Sequence, residues 1–415
     1  MRIARGRQLA AEMRRLAARA SAAGAATEAA SRRIVTDIRR CGDAALRRYA
    51  ARWDGLLPGQ PLQVSPAEME RALASVSRQF RRALQTAARN IRRFSEWQRP
   101  REFRREIAPG ICVGQLIRPL ESVGCYVPGG RYPLPSSLLM AVIPAQVAGV
   151  PRIAVASPRP AAETLAAAAL LGVEEFFRVG GAQAIAALAY GTASVPPVNK
   201  IVGPGNRYVT AAKKLVAFDC AIDFLAGPTE AVIVSDDGQP QFIAADLIAQ
   251  AEHDPDATAI FITSSPPLAG AVAQAVKRGS KANPTASESL RRNGVILLCR
   301  SRAQGLELAN AIAPEHVTVS PEDVPQITCA GSIFAGDYSP QALGDYASGP
   351  NHVLPTGGAA RFRGGLSVLD FVKVISLQEV SRAGLERIAP VVETLAAAEG
   401  LAAHAASVRV RCSHA

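Results

Sequence analysis

From about residue 110 onward the chain alternates short β-branched runs with alanine-rich stretches of helical length, and that alternation leaves few folds open. Runs at 122–127, 153–156 and 200–202 are interleaved with helix-length segments at 162–171 and 182–190. A second series places runs at 230–234, 258–263, 294–298 and 331–334, with helical segments at 241–252, 268–278 and 302–313 between them. Short apolar runs bounded by turn residues read as strands buried on both faces, and the helices between them are the crossovers that parallel strands require. The pattern predicts βαβ units around parallel sheets, in two α/β halves. Residues 1–100 read as a helical head, in which Ser65 caps a helix and Pro66 takes its first position. Residues 380–406 read as a helical tail.

Composition narrows the function. With 48% hydrophobic and 20% charged residues over 415 positions, the chain can bury a large core. Its net charge of +12 first suggests nucleic acid. The charge is concentrated, however: residues 1–110 hold 24 arginines against 10 carboxylates, and the remainder is close to neutral. These arginines recur at helical spacings (Arg14, Arg15, Arg19; Arg78, Arg81, Arg82) with few aromatics between them. That is the solvated face of amphipathic helices, so no nucleic-acid partner is expected. No apolar run is long enough to span a membrane, because 161–173 is short and contains Glu163. The arginine-bearing N-terminal stretch lacks the apolar core of a secretory signal. Seven scattered cysteines without a Cys-x-x-Cys pair suggest a reducing compartment, with the cytoplasm as the expected location.

The chemistry is concentrated at the histidines. All five (His253, His316, His352, His404, His414) lie in the C-terminal half, and four stand close to a carboxylate or carboxamide. Gln250 and His253 are three apart on a helix and project from one face, which suits two ligands of one metal, the more ordinary reading being a histidine that caps carbonyls at a helix end with Gln250 at the surface. Asp345 and His404 could complete a four-ligand O/N set for zinc or a similar ion. Pro314-Glu315-His316 sits between a helix and a strand, where adjacent Glu and His offer two bases for a reaction with two proton transfers. Three glycine loops, at 124–130, 180–183 and 202–206, stand at the ends of expected strands, where parallel sheets bind ligands. None is a G-x-G-x-x-G or a P-loop.

Together these stretches resemble one family. Gly124-Cys-Tyr-Val-Pro-Gly-Gly, Gly180-Gly-Ala-Gln, Val202-Gly-Pro-Gly-Asn, Gln250-Ala-Glu-His, Ala313-Pro-Glu-His and Gly344-Asp-Tyr-Ala-Ser-Gly-Pro-Asn-His are similar, in order, to motifs of the histidinol dehydrogenases, zinc- and NAD-dependent enzymes. The resemblance implies two Rossmann-like parallel-sheet domains with a helical N-terminal segment (1–20) and a small C-terminal domain (368–415). The first α/β domain is expected to be discontinuous (21–125 and 230–367) and the second, NAD-binding one to span 126–229. It implies one Zn²⁺ per subunit on Gln250, His253, Asp345 and His404, with Glu315 and His316 as the acid/base pair. Tyr126, Gln183 and Asn206 match NAD contacts. Thr229, His352 and Glu399 match substrate contacts, alongside the four zinc ligands and His316. The implied partners are L-histidinol and a second copy of the chain, in a homodimer whose C-terminal segments complete each other's sites.

The implied reaction is the four-electron oxidation of L-histidinol to L-histidine through the aldehyde. Three positions depart from the family's usual residues: Thr229 stands for serine, Ala405 for a basic residue, and Pro350 for threonine. The alternative is a related dehydrogenase of another polar alcohol, such as 2,3-dihydroxypropane-1-sulfonate. The retained Glu399 favours histidinol, since a carboxylate suits an imidazole N–H and repels a sulfonate.

Overall fold

The computed structural model describes residues 1–18, 24–129 and 132–413. His414, Gly130 of the first glycine loop and the expected boundary at 20/21 lie outside them. The head contains strand β1 (Arg2–Arg5) and helices α1 (Arg7–Ala18), α2 (Ala25–Tyr49), α3 (Pro66–Ser75) and α4 (Arg78–Trp97). Ser65 caps α3 as expected, its side chain accepting from the Glu68 N–H. Helix α4 buries Leu84, Ala87, Ile91 and Ser95 at spacings of three and four, while Arg78, Arg82, Arg89 and Arg93 face solvent. Burying Leu84 and Ile91 contributes about 1.5–3 kcal/mol each, so Ile91→Asp would detach the helix.

Strands β2 (Phe103–Ala108) and β3 (Ile111–Pro119) form a hairpin. Next come β4 (Ser122–Tyr126), α5 (Pro135–Ala148), β5 (Arg152–Ala156), α6 (Ala162–Leu170) and β6 (Glu175–Phe177). Helix α7 (Gly181–Tyr190), β7 (Lys200–Val202), α8 (Arg207–Val216) and β8 (Ala221–Ile222) complete this half. Its strands form a parallel sheet in the order β6-β5-β4-β7-β8. Helix α5 is apolar all round and buries every residue from Ser137 to Ala145, because β4 lies on one side of it and α4 on the other.

The second half runs β9 (Glu230–Val234), α9 (Pro240–Ala251), β10 (Thr258–Thr263), α10 (Pro266–Gly279), α11 (Pro284–Arg292), β11 (Val295–Leu298) and α12 (Arg302–Ile312). It continues with β12 (His316–Val319), β13 (Ser332–Ala335) and α13 (Gln341–Tyr346). Its parallel sheet has the order β1-β11-β10-β9-β12-β13. Both sheets are wound alike: the first strand is central, two strands go to one side, and the chain then crosses to the other. The switch points are β4/β7 and β9/β12. The tail is β14 (Val372–Val380), α14 (Arg382–Ala398) and α15 (Ala402–Ser413).

The α/β class with parallel sheets is as expected. Two local readings are corrected. The head is not wholly helical, because Arg2–Arg5 joins the edge of the second-half sheet against Val295–Leu298. The helical tail starts only at Arg382, because Val372–Val380 pairs antiparallel with β3 in a third sheet, β14-β3-β2.

Candidate active site

Two neighbouring strands begin at the same end of the second-half sheet, and their first residues meet. His316 opens β12 opposite Ala231 of β9, and Glu230 opens β9. Ala313, buried at the C-terminus of α12 in the left-handed region (φ 51°), turns the chain so that Glu315 and His316 point into the fold. The usual helix-to-strand loop thus carries two buried titratable groups.

The side chains form one connected set. Gln250 Nε2 donates to Thr229 Oγ1, and Thr229 Oγ1 donates to Glu315 Oε2. The same oxygen accepts from the Glu230 N–H at 3.0 Å. His316 lies between two carboxylates, Nδ1 3.8 Å from Glu315 Oε2 and Nε2 3.7 Å from Asp345 Oδ1. Its buried Nδ1 has no hydrogen-bond partner among the described residues. His352 Nδ1 donates to the Asp345 carbonyl at 2.7 Å, and its Nε2 sits 3.2 Å from Ser137 Oγ on α5. The network therefore reaches from one sheet's strand ends to a helix of the other.

Electrostatics separates the members. Burial pushes the Glu315 carboxyl above its ordinary range, against the pull of His316, Thr229 and the Glu230 N–H. Burial alone would lower the His316 pKa, but Glu315 and Asp345 outweigh it and raise it. Burial would raise Asp345, yet His316, His352 and His253 around it hold it below the usual value. Burial lowers His352, against the Asp345 carboxylate and carbonyl. Two bases with strengthened proton affinity, one Glu and one His, stand side by side where water is scarce. That pair can accept and return protons.

Gln250 sits in the last turn of α9, and the expected shared helix face is corrected: α9 ends at Ala251, so His253 lies exposed beyond the helix, close enough to Asp345 to act on its carboxyl. Glu399 and His404 are exposed at the end of α14 and the start of α15, and take no part in the hydrogen bonds and ion contacts around Glu315. No group of three His, Cys, Asp or Glu side chains suited to a metal occurs among the described residues.

The glycine loops meet at the other sheet's switch point. Tyr126 ends β4, and its hydroxyl accepts from the Gly181 N–H at 3.1 Å. Buried Gln183 lies in the first turn of α7, and Asn206 caps α8 by accepting from the Tyr208 and Val209 N–H groups. Gly203 (φ 112°) brings the two strand ends together, since a Cβ there would lie 2.1 Å from the Tyr126 carbonyl oxygen. A buried ion pair that sequence reading did not flag holds this turn. Asp223 accepts from the Gly203 N–H at 2.8 Å and pairs with Lys213, whose Nζ donates to the Gly203 carbonyl at 3.0 Å. Only a polar residue recurring inside an otherwise apolar α8 face could have signalled Lys213.

A family model described as histidinol dehydrogenase matches residues 17–412. A histidinol dehydrogenase from Methanothermobacter thermautotrophicus is 46% identical over 392 residues, covering 91% of this chain and 92% of the relative. One from Gluconobacter oxydans is 47% identical over 393 residues, covering 92% and 91%. The crystal structure of histidinol dehydrogenase from Elizabethkingia anophelis superposes with a TM-score of 0.93 at 34% identity, covering 99% of this chain and 96% of that one.

Proposed function

The chain belongs to the histidinol dehydrogenase family, and on that premise we propose how its buried residues carry out the chemistry. It is an NAD-dependent oxidoreductase of histidine biosynthesis, taking L-histidinol through the aldehyde to L-histidine with two NAD. The observation that carries the reading is the Gln250–Thr229–Glu315 chain beside His316, with Asp345 near the ring's other nitrogen.

The donor set fits zinc. Thr229 occupies the amide nitrogen of Gln250, which leaves Oε1 as a free acceptor, and the Asp345 carboxylate is ionised with His253 near it. Gln250, His253 and Asp345 would hold the ion, with His404 supplied by a second copy of the chain, giving one Zn²⁺ per subunit. When bound, zinc orients the substrate's nitrogens so that the carbinol carbon faces the nicotinamide. His316 takes the hydroxyl proton as the first hydride leaves. Glu315 then removes a proton from the water that adds to the aldehyde while His316 returns its proton to the aldehyde oxygen, and the neutral ring takes a hydroxyl proton of the hydrate as the second hydride leaves to a second NAD. His352, neutral and fixed by Ser137 and the Asp345 carbonyl, contacts the substrate, as do Thr229 and the second copy's Glu399. Tyr126, Gln183 and Asn206 would hold NAD at the β4/β7 switch point.

A homodimer is supported by Val391 and Leu395, which lie four apart on one face of α14, stay more than half exposed, and belong to the helix that packs on the one carrying His404. We read 126–229 as the NAD-binding domain and the discontinuous 21–125 and 230–367 as its counterpart. The seven cysteines are unbridged, which suits the cytoplasm. No helix among the described residues is long and apolar enough to cross a membrane. The near-full-length relatives favour histidinol over a sulfonated diol. The test is NADH formation from histidinol, lost on chelation and restored by Zn²⁺. Turnover of 2,3-dihydroxypropane-1-sulfonate but not of histidinol would overturn the reading.

A further inference from the structure

One carboxylate of the helical head reaches the dinucleotide end of the fold. After α2 the chain makes a short wide turn, Ala50–Asp54, closed by Gly55 in the left-handed region (φ 68°). Helix α2 packs on α7, which places the end of this turn against the start of α7. Asp54 is only 7% exposed. Its Oδ2 accepts from the Gly180 N–H at 3.0 Å and from Gln183 Nε2 at 2.9 Å. The next N–H, that of Gly181, goes to the Tyr126 hydroxyl. The first donors of α7 are thus held by two side chains from distant parts of the sequence.

An ionised carboxylate can only accept hydrogen bonds, so Asp54 decides which way the Gln183 amide points. Nε2 faces Asp54, and Oε1 lies on the other side, next to Gly181 Cα. A Cβ on Gly181 would come within 2.8 Å of that oxygen. The carboxylate also takes the position at the α7 N-terminus where a phosphate would otherwise be attracted.

We propose that Asp54 is a positioning residue for NAD: it fixes the Gly180–Gly181 turn and holds Gln183 so that Oε1 accepts a hydrogen bond from a hydroxyl or amide N–H of the dinucleotide. This rests on Gln183 being an NAD contact. Asp54 itself touches no ligand. A conservative Asp54→Asn retains one oxygen able to accept both bonds, whereas Asp54→Ala leaves the Gly180 N–H and the Gln183 amide without an acceptor.

The test uses the zinc-loaded enzyme and steady-state kinetics in both substrates. Asp54→Ala should raise the NAD KM about tenfold, equivalent to about 1.4 kcal/mol, with kcat and the histidinol KM within about twofold. Asp54→Asn should stay within about threefold of the parent. If Asp54→Ala does not fold, Asp54→Glu keeps the charge but moves the oxygen by a methylene, and the same selective rise is expected. An unchanged NAD KM in Asp54→Ala or Asp54→Glu, while Gln183→Ala raises it, overturns the proposal. A rise of equal size in Asp54→Asn, or a parallel rise in the histidinol KM, overturns it too. An unaltered NAD KM in Gln183→Ala removes the underlying reading of Gln183, and the proposal with it.

Discussion

Replacing Thr229 by valine keeps the shape of the side chain and removes one hydroxyl from the middle of the Gln250–Thr229–Glu315 chain. The Glu315 Oε2 then keeps a single hydrogen-bond donor, the Glu230 N–H at 3.0 Å, with the His316 ring no nearer than 3.8 Å. A hydrogen bond to a charged group contributes about 1.5–3 kcal/mol, and one pH unit of titration corresponds to about 1.36 kcal/mol. Burial already raises the Glu315 carboxyl, and Thr229 opposes that rise. Its loss therefore favours the neutral acid further. A neutral carboxyl cannot take a proton from water, so activity is lost from the acid side. The acidic limb of kcat/KM for histidinol, measured at saturating NAD and Zn²⁺, should move up by about one to two pH units. Thr229→Ser keeps the hydroxyl and should leave the limb in place, which also makes the threonine in this chain a tolerable replacement for the family's usual serine. A valine variant whose limb coincides with the parent's would refute the reasoning, as would a serine variant shifted equally far.

His316→Ala should cut turnover by about 10²–10⁴-fold with zinc retained; loss of zinc by elemental analysis would show that the ring holds the metal instead. Lys213→Met leaves the fully buried Asp223 carboxylate without its cation. Breaking such a pair costs about 3–5 kcal/mol, read as a lower urea-unfolding midpoint, and an unchanged midpoint would mean that water reaches Asp223. Mixing inactive His253→Ala with inactive His404→Ala should restore roughly a quarter of parental activity, because half of the dimers are hybrids and each hybrid has one intact site. No recovery after subunit exchange would confine each site to one chain.

The sequence made the chemistry legible because its groups come in local pairs. Gln250 with His253, and Glu315 with His316, sit at spacings that already suggest joint action. The parallel halves were legible for a similar reason, since apolar runs and helix-length spacers alternate in each. What escaped was whatever depends on distant partners. Asp54 looks like an ordinary acid after an arginine-rich helix, and only its contact with Gly180 gives it a role. Lys213 and Asp223 are ten residues apart and fall on different elements, so no helical spacing links them. The third sheet was missed because β14 is mostly exposed and finds its partner β3 more than 250 positions earlier. Parallel-sheet logic also points to the C-terminal ends of strands, whereas the acid/base pair stands at the N-terminal ends of β9 and β12.

Strand β1 has a consequence for how the molecule is made. Its four residues are made before the other described strands and helices, yet their partner Val295–Leu298 arrives nearly 300 residues later. The sheet β6-β5-β4-β7-β8 is drawn from one continuous stretch and can close during synthesis. The other sheet must wait with an open edge until β11 has emerged, and the acid/base pair on β12 comes later still. Assembly of the dinucleotide half should thus precede assembly of the catalytic half, with β1 docking only after β11 has formed.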